Sequence, residues 1–240
     1  MKMRLREVLP ALLLLALSCG VATAQAGQVG AGERIRRGNE KYARAEYAEA
    51  IKEYERVGRD SEEEYAQSLY NIGVCRYELW QTDEAVRMYR AAVEARRGRY
   101  PRALYALGVA LEESGRRAEA KEAYRQAVAS DPKHAPAHYK LGMLASREGD
   151  YEAAAAHFRE AVKRSAGRFP ASSNNLGVML ARAGRLAEAE REFEAALRQS
   201  EGAFEEAAHN LKLCRSLLAG RTKAGVAALK VVAPADRLSR

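Results

Sequence analysis

Small and apolar residues recur along this chain in a pattern that repeats about every 35 residues. Three stretches align without gaps: LGVALEESGR from Leu107, LGMLASREGD from Leu141 and LGVMLARAGR from Leu176. Extended in both directions, the alignment gives a column of glycines at intervals of 34 or 35 residues: Gly38, Gly73, Gly108, Gly142 and Gly177. A fixed period of this size is typical of small structural units stacked in an array.

Each period predicts two helices. Twelve, sixteen and nineteen residues after each glycine stand an alanine, an aromatic ring and a small residue, for example Ala120, Tyr124 and Ala127. Spacings of four and three residues place these columns on one face of a second helix. A glycine such as Gly115 can end the first helix in a left-handed conformation. We expect the small residues to let the two helices approach closely, and the rings to fill the space between neighbouring units.

The columns divide the chain into predicted units with a helix and a tail behind them. Five repeats are expected at about residues 33–60, 62–97, 101–132, 135–166 and 170–200, followed by a capping helix at 203–218. The solenoid thus spans 33–218. Residues 219–240 carry no repeat column, which predicts a flexible basic tail. Ser61 to Glu64, SEEE, predicts a capping box before the second unit.

The pattern resembles the tetratricopeptide repeat family in residues as well as in period. The fullest match is GVALEESGRRAEAKEAYRQAVASDP, residues 108–132, and the resemblance spans roughly residues 33–218. It implies an all-α fold, a right-handed α-α superhelical solenoid of about five helix pairs plus a C-terminal capping helix. The first unit departs from the family, because Arg34 and Arg37 stand where apolar side chains are preferred. Such polarity suits a terminal repeat that exposes one face to water.

The resemblance also implies a binding surface, because the first helices of such units line the concave face of the stack. Tyr70, Tyr105 and Tyr139 lie three residues before successive glycines and would form a ladder there. Tyr42 and Tyr77, each four residues after its glycine, would extend the ladder, and Asn71 would belong to the same surface. Tyrosine offers rigid contact area and one hydrogen-bonding tip, which suits a partner peptide or helix. The alternative is that these tyrosines pack against neighbouring helices, as they commonly do in the family.

A second candidate site is a clamp for a C-terminal carboxylate, which some members of the family possess. Asn39, Asn71 and Arg102 match three of its five places. Ile35 and Ala106 stand where the clamp has basic side chains. A carboxylate needs several directed donors to replace its hydration, so the match is partial.

The N-terminus predicts export. Basic residues precede an apolar run, VLPALLLLAL, that is too short to span a bilayer, and ATAQ offers a cleavage point after Ala24. Residues 1–24 would be a signal peptide and 25–32 a flexible leader. Two alternatives remain: lipidation at Cys19, since LALSC resembles a bacterial lipoprotein signal, or an uncleaved anchor.

Net charge adds little to this interpretation. The chain carries +8, of which residues 1–24 hold +2 and residues 219–240 hold +4, leaving about +2 for the leader and repeats. The excess belongs mainly to the tail, which could meet an anionic envelope surface, and export argues against nucleic acid as the partner.

The sequence contains no recognisable nucleophile, phosphate-binding, zinc or dinucleotide motif. His134 and His138 have a spacing that suits a metal, but no third ligand accompanies them. Cys75 and Cys214 belong to units four periods apart, too distant for a disulfide in a stacked array. We therefore expect neither catalytic residues nor a metal nor another cofactor.

These features predict a non-enzymatic protein-interaction scaffold or adaptor in the periplasm or bacterial cell envelope. It would bind a protein or peptide partner on its concave face. Two alternatives stay open: a lipid-anchored membrane protein with a structural or assembly role, and an accessory non-catalytic subunit of an envelope enzyme. The pattern indicates no particular oligomeric state.

Overall fold

The structure is a computed structural model that describes residues 29–166, 168–222 and 224–233. The predicted signal peptide, Cys19 and the leader as far as residue 28 lie outside these ranges, as do residues 234–240 of the predicted tail. In the described part of the chain there are eleven α-helices and no strand. The helices are α1 (Ala31–Ala43), α2 (Tyr47–Glu55), α3 (Glu62–Glu78), α4 (Thr82–Ala95), α5 (Pro101–Glu113), α6 (Arg117–Ser130), α7 (Ala135–Arg147), α8 (Tyr151–Arg164), α9 (Pro170–Arg182), α10 (Leu186–Gln199) and α11 (Glu205–Leu218).

The helices stack in chain order, which confirms the predicted all-α solenoid. Each helix packs against the one before it and the one after it, so that α1–α10 form five antiparallel pairs and α11 covers the last pair. The first helices of neighbouring pairs also meet, as α1 meets α3 and α9 meets α11. We call the face formed by α1, α3, α5, α7, α9 and α11 the first-helix surface.

Helix boundaries follow from local chemistry that the sequence predicts in part. The Ser61 hydroxyl accepts a hydrogen bond from the Glu64 N–H at 3.4 Å, as expected of an N-cap. Between the paired helices, Gly115, Gly149 and Gly184 have φ of 75°, 81° and 80°. Glycine adopts this left-handed conformation without a Cβ clash, so the predicted turns are confirmed at these three places.

The glycine column determines how closely the paired helices approach. In each unit the glycine of the first helix lies directly beneath the ring of the second helix, sixteen residues later. A Cβ added to Gly73 would lie 2.6 Å from Cε1 of Tyr89, and one added to Gly177 would lie 2.7 Å from Cε1 of Phe193. Real Cβ atoms do not come so close to a ring, so only glycine fits.

This contact adds to one expectation. The sequence predicts that the rings fill the space between neighbouring units. Each ring packs on the glycine of its own unit, and its apolar cluster also extends into the next unit, as Tyr89 shares a cluster with Ala106 and Val109. The five rings are at most 2% exposed, and the alanine column beside them is completely buried. Ring, glycine and alanine therefore recur as the same packed group in every helix pair, within a core that continues from one pair to the next.

Two further observations concern the described ranges. No helix there combines the length and the apolar character required to cross a membrane. Cys75 in α3 and Cys214 in α11 are buried free thiols. Burial raises the pKa of the Cys75 thiol to about 12, so it is protonated and unreactive at neutral pH.

Candidate functional site

Asparagines recur on the first-helix surface at one place in the repeat, two residues before the glycine column. Asn71 occupies this place in α3, Asn175 in α9, and Asn210 in α11, where Lys212 replaces the glycine. The intervening units have Ala106 and Lys140 there. Asparagine is a poor helix former, because its side chain competes for main-chain hydrogen bonds. Repeated asparagines within helices therefore indicate that their side chains have hydrogen-bonding partners outside their own helix.

The partner of the last two asparagines is a later stretch of the same chain, around Lys230 and Val232. After α11 the chain turns at Gly220, where φ is 63°. After a short 3₁₀ helix, Val226–Ala228, it leaves in an extended conformation at Leu229 and crosses α11, α9 and α7. We call residues 224–233 the C-terminal segment. The sequence predicts a flexible tail from Ala219; the structure instead has this part of the tail docked on the first-helix surface.

Asn175 holds one residue of the segment by both of its main-chain groups. Its side-chain amide donates to the Val232 carbonyl at 2.8 Å, and its side-chain oxygen accepts from the Val232 N–H at 2.8 Å. The Tyr139 hydroxyl of α7 donates to the same carbonyl at 2.6 Å. Val232 is thus bound through main-chain atoms that every peptide has.

Asn210 repeats this arrangement one helix further along. Its amide donates to the Lys230 carbonyl at 2.9 Å, and its oxygen accepts from the Lys230 N–H at 2.8 Å. Asn174 of α9 donates to the same carbonyl at 3.1 Å. The two bound residues are two positions apart, or about 7 Å of extended chain, close to the spacing of neighbouring helices. The asparagine column therefore binds the main chain of alternate residues in an extended segment.

Apolar side chains anchor the segment between these polar contacts. Leu229 is 3% exposed and joins the apolar cluster that contains Phe193 and Cys214. Val226 and Val231 pack against the edge of the same cluster. Lys230 is exposed, and its side chain is not needed for the main-chain contacts. Successive side chains of an extended chain that lies on a surface point alternately towards the surface and towards solvent, as Leu229, Lys230 and Val231 do here.

Tyr139 is the predicted ladder tyrosine that the segment covers. It is 1% exposed, with its ring stacked on Phe169 at 4.8 Å between centroids and edge-on to Phe158 at 5.4 Å. Its hydroxyl also accepts a hydrogen bond from the Asn175 amide at 3.0 Å. In this structure Tyr139 is thus both a core side chain and a direct contact of a bound chain.

The other ladder tyrosines are half-buried and combine both readings of the sequence. Tyr70 leans on Tyr89 of its own unit and Tyr100 of the next, at centroid distances of 5.8 and 5.7 Å. Tyr105 leans on Tyr124 and His134 at 5.8 and 5.3 Å. Burial raises the pKa of the Tyr70 hydroxyl. A binding role for these two side chains stays a prediction.

The remaining predicted site residues fall into two places. Asn39 and Asn71 are together, since the Asn71 amide donates to the Asn39 oxygen at 3.3 Å, and the Tyr54 hydroxyl donates to that oxygen at 2.7 Å. Tyr77, one turn further along α3, donates to the Glu113 carboxylate of α5. Arg102 lies over the Tyr70 ring, 6.0 Å from its centroid, in a hollow that it shares with Arg96 and Arg99.

This arrangement does not favour the carboxylate clamp. The Asn39 oxygen already accepts two hydrogen bonds, and the described contacts join Arg102 to Tyr70 rather than to either asparagine. A carboxylate would need these donors to converge on one point.

A buried ion pair stands where the asparagine column is interrupted. Lys140, only 4% exposed, contacts the Glu112 carboxylate of α5 at 3.3 Å, and Arg147 of α7 contacts its other oxygen at 2.6 Å. Burial by itself would raise the pKa of Glu112, but the Arg147 and Lys140 charges hold it below its ordinary value. The pair joins the third unit to the fourth.

Polar clusters elsewhere in the described ranges do not form a metal site. No group there brings together three or more His, Cys, Asp or Glu side chains in a geometry that could hold a metal ion. His138 faces His157 at 3.3 Å between ring nitrogens, and burial lowers the pKa of His157. His134 instead caps α7 by accepting from the Ala137 N–H at 3.2 Å.

Sequence reasoning identified Tyr139 but missed Asn174, Asn175 and Asn210. The available signal was the recurrence of asparagine, unfavourable within a helix, at one place of three units. A second signal was the apolar stretch VAALKVVA in an otherwise polar tail.

Comparisons with known proteins agree with this architecture. The sequence profile of the tetratricopeptide repeat matches residues 77–135, 105–168 and 139–204, together more than half of the chain. Comparison with curated proteins gives no match.

Several solved structures are similar in fold. YrrB is 21% identical with a TM-score of 0.59 over 80% of this chain and 97% of its own. PilF of Pseudomonas aeruginosa is 16% identical with a TM-score of 0.65 over 80% of this chain and 85% of its own. MamA of Desulfovibrio magneticus RS-1 is 19% identical with a TM-score of 0.58 over 72% and 96% respectively. With its repeated glycine and ring columns and five helix pairs, the chain belongs to the tetratricopeptide repeat family.

Proposed function

We propose that this protein is a non-catalytic interaction scaffold whose first-helix surface binds an extended segment of a partner protein. The observation that carries the proposal is the pair of asparagines, Asn175 and Asn210, that each hold a main-chain N–H and carbonyl of one residue. A surface that binds main-chain groups in this way suits any extended peptide of matching side chains.

The remainder of the surface offers related chemistry to a longer partner. Beyond α7 the repeat column continues to Ala106 in α5 and Asn71 in α3, with Tyr77 and Tyr105 beside it. Half-buried tyrosines lose little rotamer entropy on binding, which favours them as contacts. The similar fold of YrrB supports the proposal, since that protein is described as having an unusual peptide-binding site.

We further propose that the protein acts after export, in the periplasm or cell envelope. The support is the basic start, short apolar run and ATAQ sequence of residues 1–25. The mass of the N-terminus purified from cells tests this proposal and its alternative. Maturation at Gln25 would support a soluble exported protein, and a lipid-modified Cys19 would support membrane anchoring. An intact Met1 would contradict both kinds of processing and leave only the uncleaved anchor as a route to the envelope.

Partner capture tests the scaffold itself. Full-length protein is crosslinked in cell envelopes and compared with an Asn71→Ala, Tyr77→Ala variant, after circular dichroism has shown equal helical content. Arg87→Ala is the matched control, since Arg87 is an exposed side chain on the second helix α4. We expect the wild type and the control to capture the same partner and the double variant to lose it. Equal capture by all three would contradict the proposed surface.

A further inference from the structure

We infer that the C-terminal segment is a cis ligand of the partner-binding surface, and that a partner must displace it to use the α7, α9 and α11 part of that surface. The inference rests on the proposed function, because it assigns an occupant and a regulation to the same site. It also defines the partner class: an extended segment with two apolar side chains at alternate positions, equivalent to Leu229 and Val231.

The contacts themselves indicate which features of a ligand matter. Within the described ranges, six hydrogen bonds join the segment to the helices, and these six end on the main chain of Lys230 or Val232. They cannot distinguish one extended peptide from another. Selectivity then comes from the places of Leu229, which is buried, and Val231, which is half-buried. Because the Lys230 side chain is exposed, its charge is not required of a competitor.

The segment is displaceable because the helices pack on one another along the whole stack without it. Glycine, alanine and ring are packed together in every helix pair, and α11 covers the last pair. Undocking would expose Leu229 and the part of the apolar cluster that Leu229, Val226 and Val231 cover. It would also expose the asparagine and Tyr139 groups, which water can satisfy by hydrogen bonding. A solenoid stabilised by contacts between neighbouring repeats retains those contacts when a terminal segment leaves.

The short connection keeps the segment at a high local concentration. Only a few residues separate the end of α11 at Leu218 from Val226. Short linkers give effective concentrations on the order of millimolar. A segment whose free peptide bound with a Kd of about 100 μM would then be docked roughly ten times more often than undocked. A competitor would bind the intact protein about tenfold more weakly than the open surface.

A labelled peptide gives the direct test in the full chain. The probe is fluorescein-AGVAALKVVA, the sequence of residues 224–233, and its binding is measured by anisotropy. Leu229→Asp should undock the segment, because it places a carboxylate in an apolar site. Ala228→Asp adds the same charge one residue earlier at an exposed position and is the matched control.

We expect the probe to bind the Leu229→Asp protein at least tenfold more tightly than it binds the wild type or Ala228→Asp. Adding Asn175→Ala to Leu229→Asp should abolish that binding while circular dichroism stays unchanged. Equal binding to all proteins, or no binding to Leu229→Asp, would overturn the inference.

Hydrogen exchange provides a second measurement that needs no undocking variant. The Lys230 and Val232 amides should be protected in the wild type, and Val232 should lose protection in Asn175→Ala. Protection must not depend on protein concentration. Unprotected amides would refute docking, and protection that grows with concentration would mean that the segment docks on a second copy rather than in cis.

Failure of this inference can be told apart from failure of the proposed function. The partner-capture variants change Asn71 and Tyr77 of α3, whereas the described hydrogen bonds of the segment end on α7, α9 and α11. One possible result is that the α3 double variant loses the partner while the Lys230 and Val232 amides are unprotected. That result would refute the cis ligand and leave the proposed function intact. The opposite result is that the segment is protected and competes with the probe, while the α3 double variant still captures the partner. That result would refute the proposed partner surface at α3 and leave the cis ligand intact.

Discussion

Gly73 and Tyr89 are in contact across the second helix pair, and the ring occupies the space that a side chain at residue 73 would need. A Cβ at Gly73 would come within 2.6 Å of the ring, which is completely buried and cannot move aside. Gly73→Ala should therefore lower the free energy of unfolding by about 2 kcal/mol through overpacking. This would outweigh the roughly 1 kcal/mol that alanine gains over glycine inside a helix.

The control for this substitution is Gly32→Ala in the first turn of α1, where no atom lies within 4 Å of the added Cβ. Urea unfolding of both variants gives the comparison. Gly32→Ala should be neutral or slightly stabilising. A Gly73→Ala protein as stable as the wild type would show that the ring is not confined by its surroundings.

The Tyr89 hydroxyl is buried without a hydrogen-bond partner among the described residues. Burial raises the pKa of Tyr89 far above its ordinary value. Because an unsatisfied buried hydroxyl costs free energy, Tyr89→Phe should leave stability unchanged or raise it by about 1 kcal/mol. Phe158 and Phe193 already occupy the same column in later units.

Tyr54 supplies the opposite case for the same measurement. Its hydroxyl donates to Asn39 at 2.7 Å, so Tyr54→Phe should lower stability by about 1 kcal/mol. The expected result in thermal unfolding is thus a higher or equal Tm for Tyr89→Phe and a lower Tm for Tyr54→Phe. Equal losses in both would contradict the difference in hydrogen bonding.

Glu112 stabilises the junction between the third and fourth units through the buried ammonium of Lys140. Glu112→Gln removes the carboxylate charge from that ammonium and should cost about 3 kcal/mol in urea unfolding. Glu84→Gln, at an exposed pair with Arg87, should change nothing measurable. Similar effects of the two substitutions would mean that the buried pair contributes no more than a surface pair.

The pH dependence of this pair follows from its lowered pKa. The folded pKa of Glu112 lies below the unfolded value of 4.5, so its contribution is present above pH 4.5 and is lost as the pH falls through the folded pKa. Acid unfolding of the wild type should therefore be steeper below pH 4.5 than that of Glu112→Gln. Parallel curves would contradict this.

Cys75 predicts a loss of stability at alkaline pH. Its folded pKa is raised by burial from 9.0 to about 12, so the protonated thiol favours the folded state, and this contribution is lost as the pH rises from about 9 towards 12. Between pH 9 and 10 the wild type should lose up to about 1 kcal/mol more than Cys75→Ala. Urea unfolding at the two pH values measures the difference, and equal losses would show that the thiol ionises freely in the fold.

The repeat units could be predicted from sequence because their contacts recur at fixed spacing. Gly108 and Tyr124 are sixteen residues apart in one helix pair, and the same spacing returns in four other units, so the pattern itself identifies the contact. The residues of the next unit that share each ring's cluster could not be identified in this way, because the spacing relates positions within one unit only.

The docked segment escaped prediction for a different physical reason. Asn175 binds Val232, 57 residues later, through the main-chain atoms of Val232. Every residue type has these atoms, so the sequence of the segment does not reveal the contact. The asparagines themselves are visible in the sequence as a column. However, Asn71 belongs to the same column and its described contact is with Asn39 rather than with a docked chain, so the column alone does not predict docking. Among the described residues the contact occurs only twice, at Asn175 and Asn210, which is too few occurrences to give a period from which to infer it.

The reversal of the chain after α11 restricts how this array could gain repeats. A unit inserted among α1–α6 would lengthen the solenoid and leave the last helices and the C-terminal segment in register with one another. A unit inserted after α11 would carry the segment onto new first helices and away from Asn175 and Asn210. Gene duplications that preserve the self-docked end should therefore accumulate towards the N-terminus.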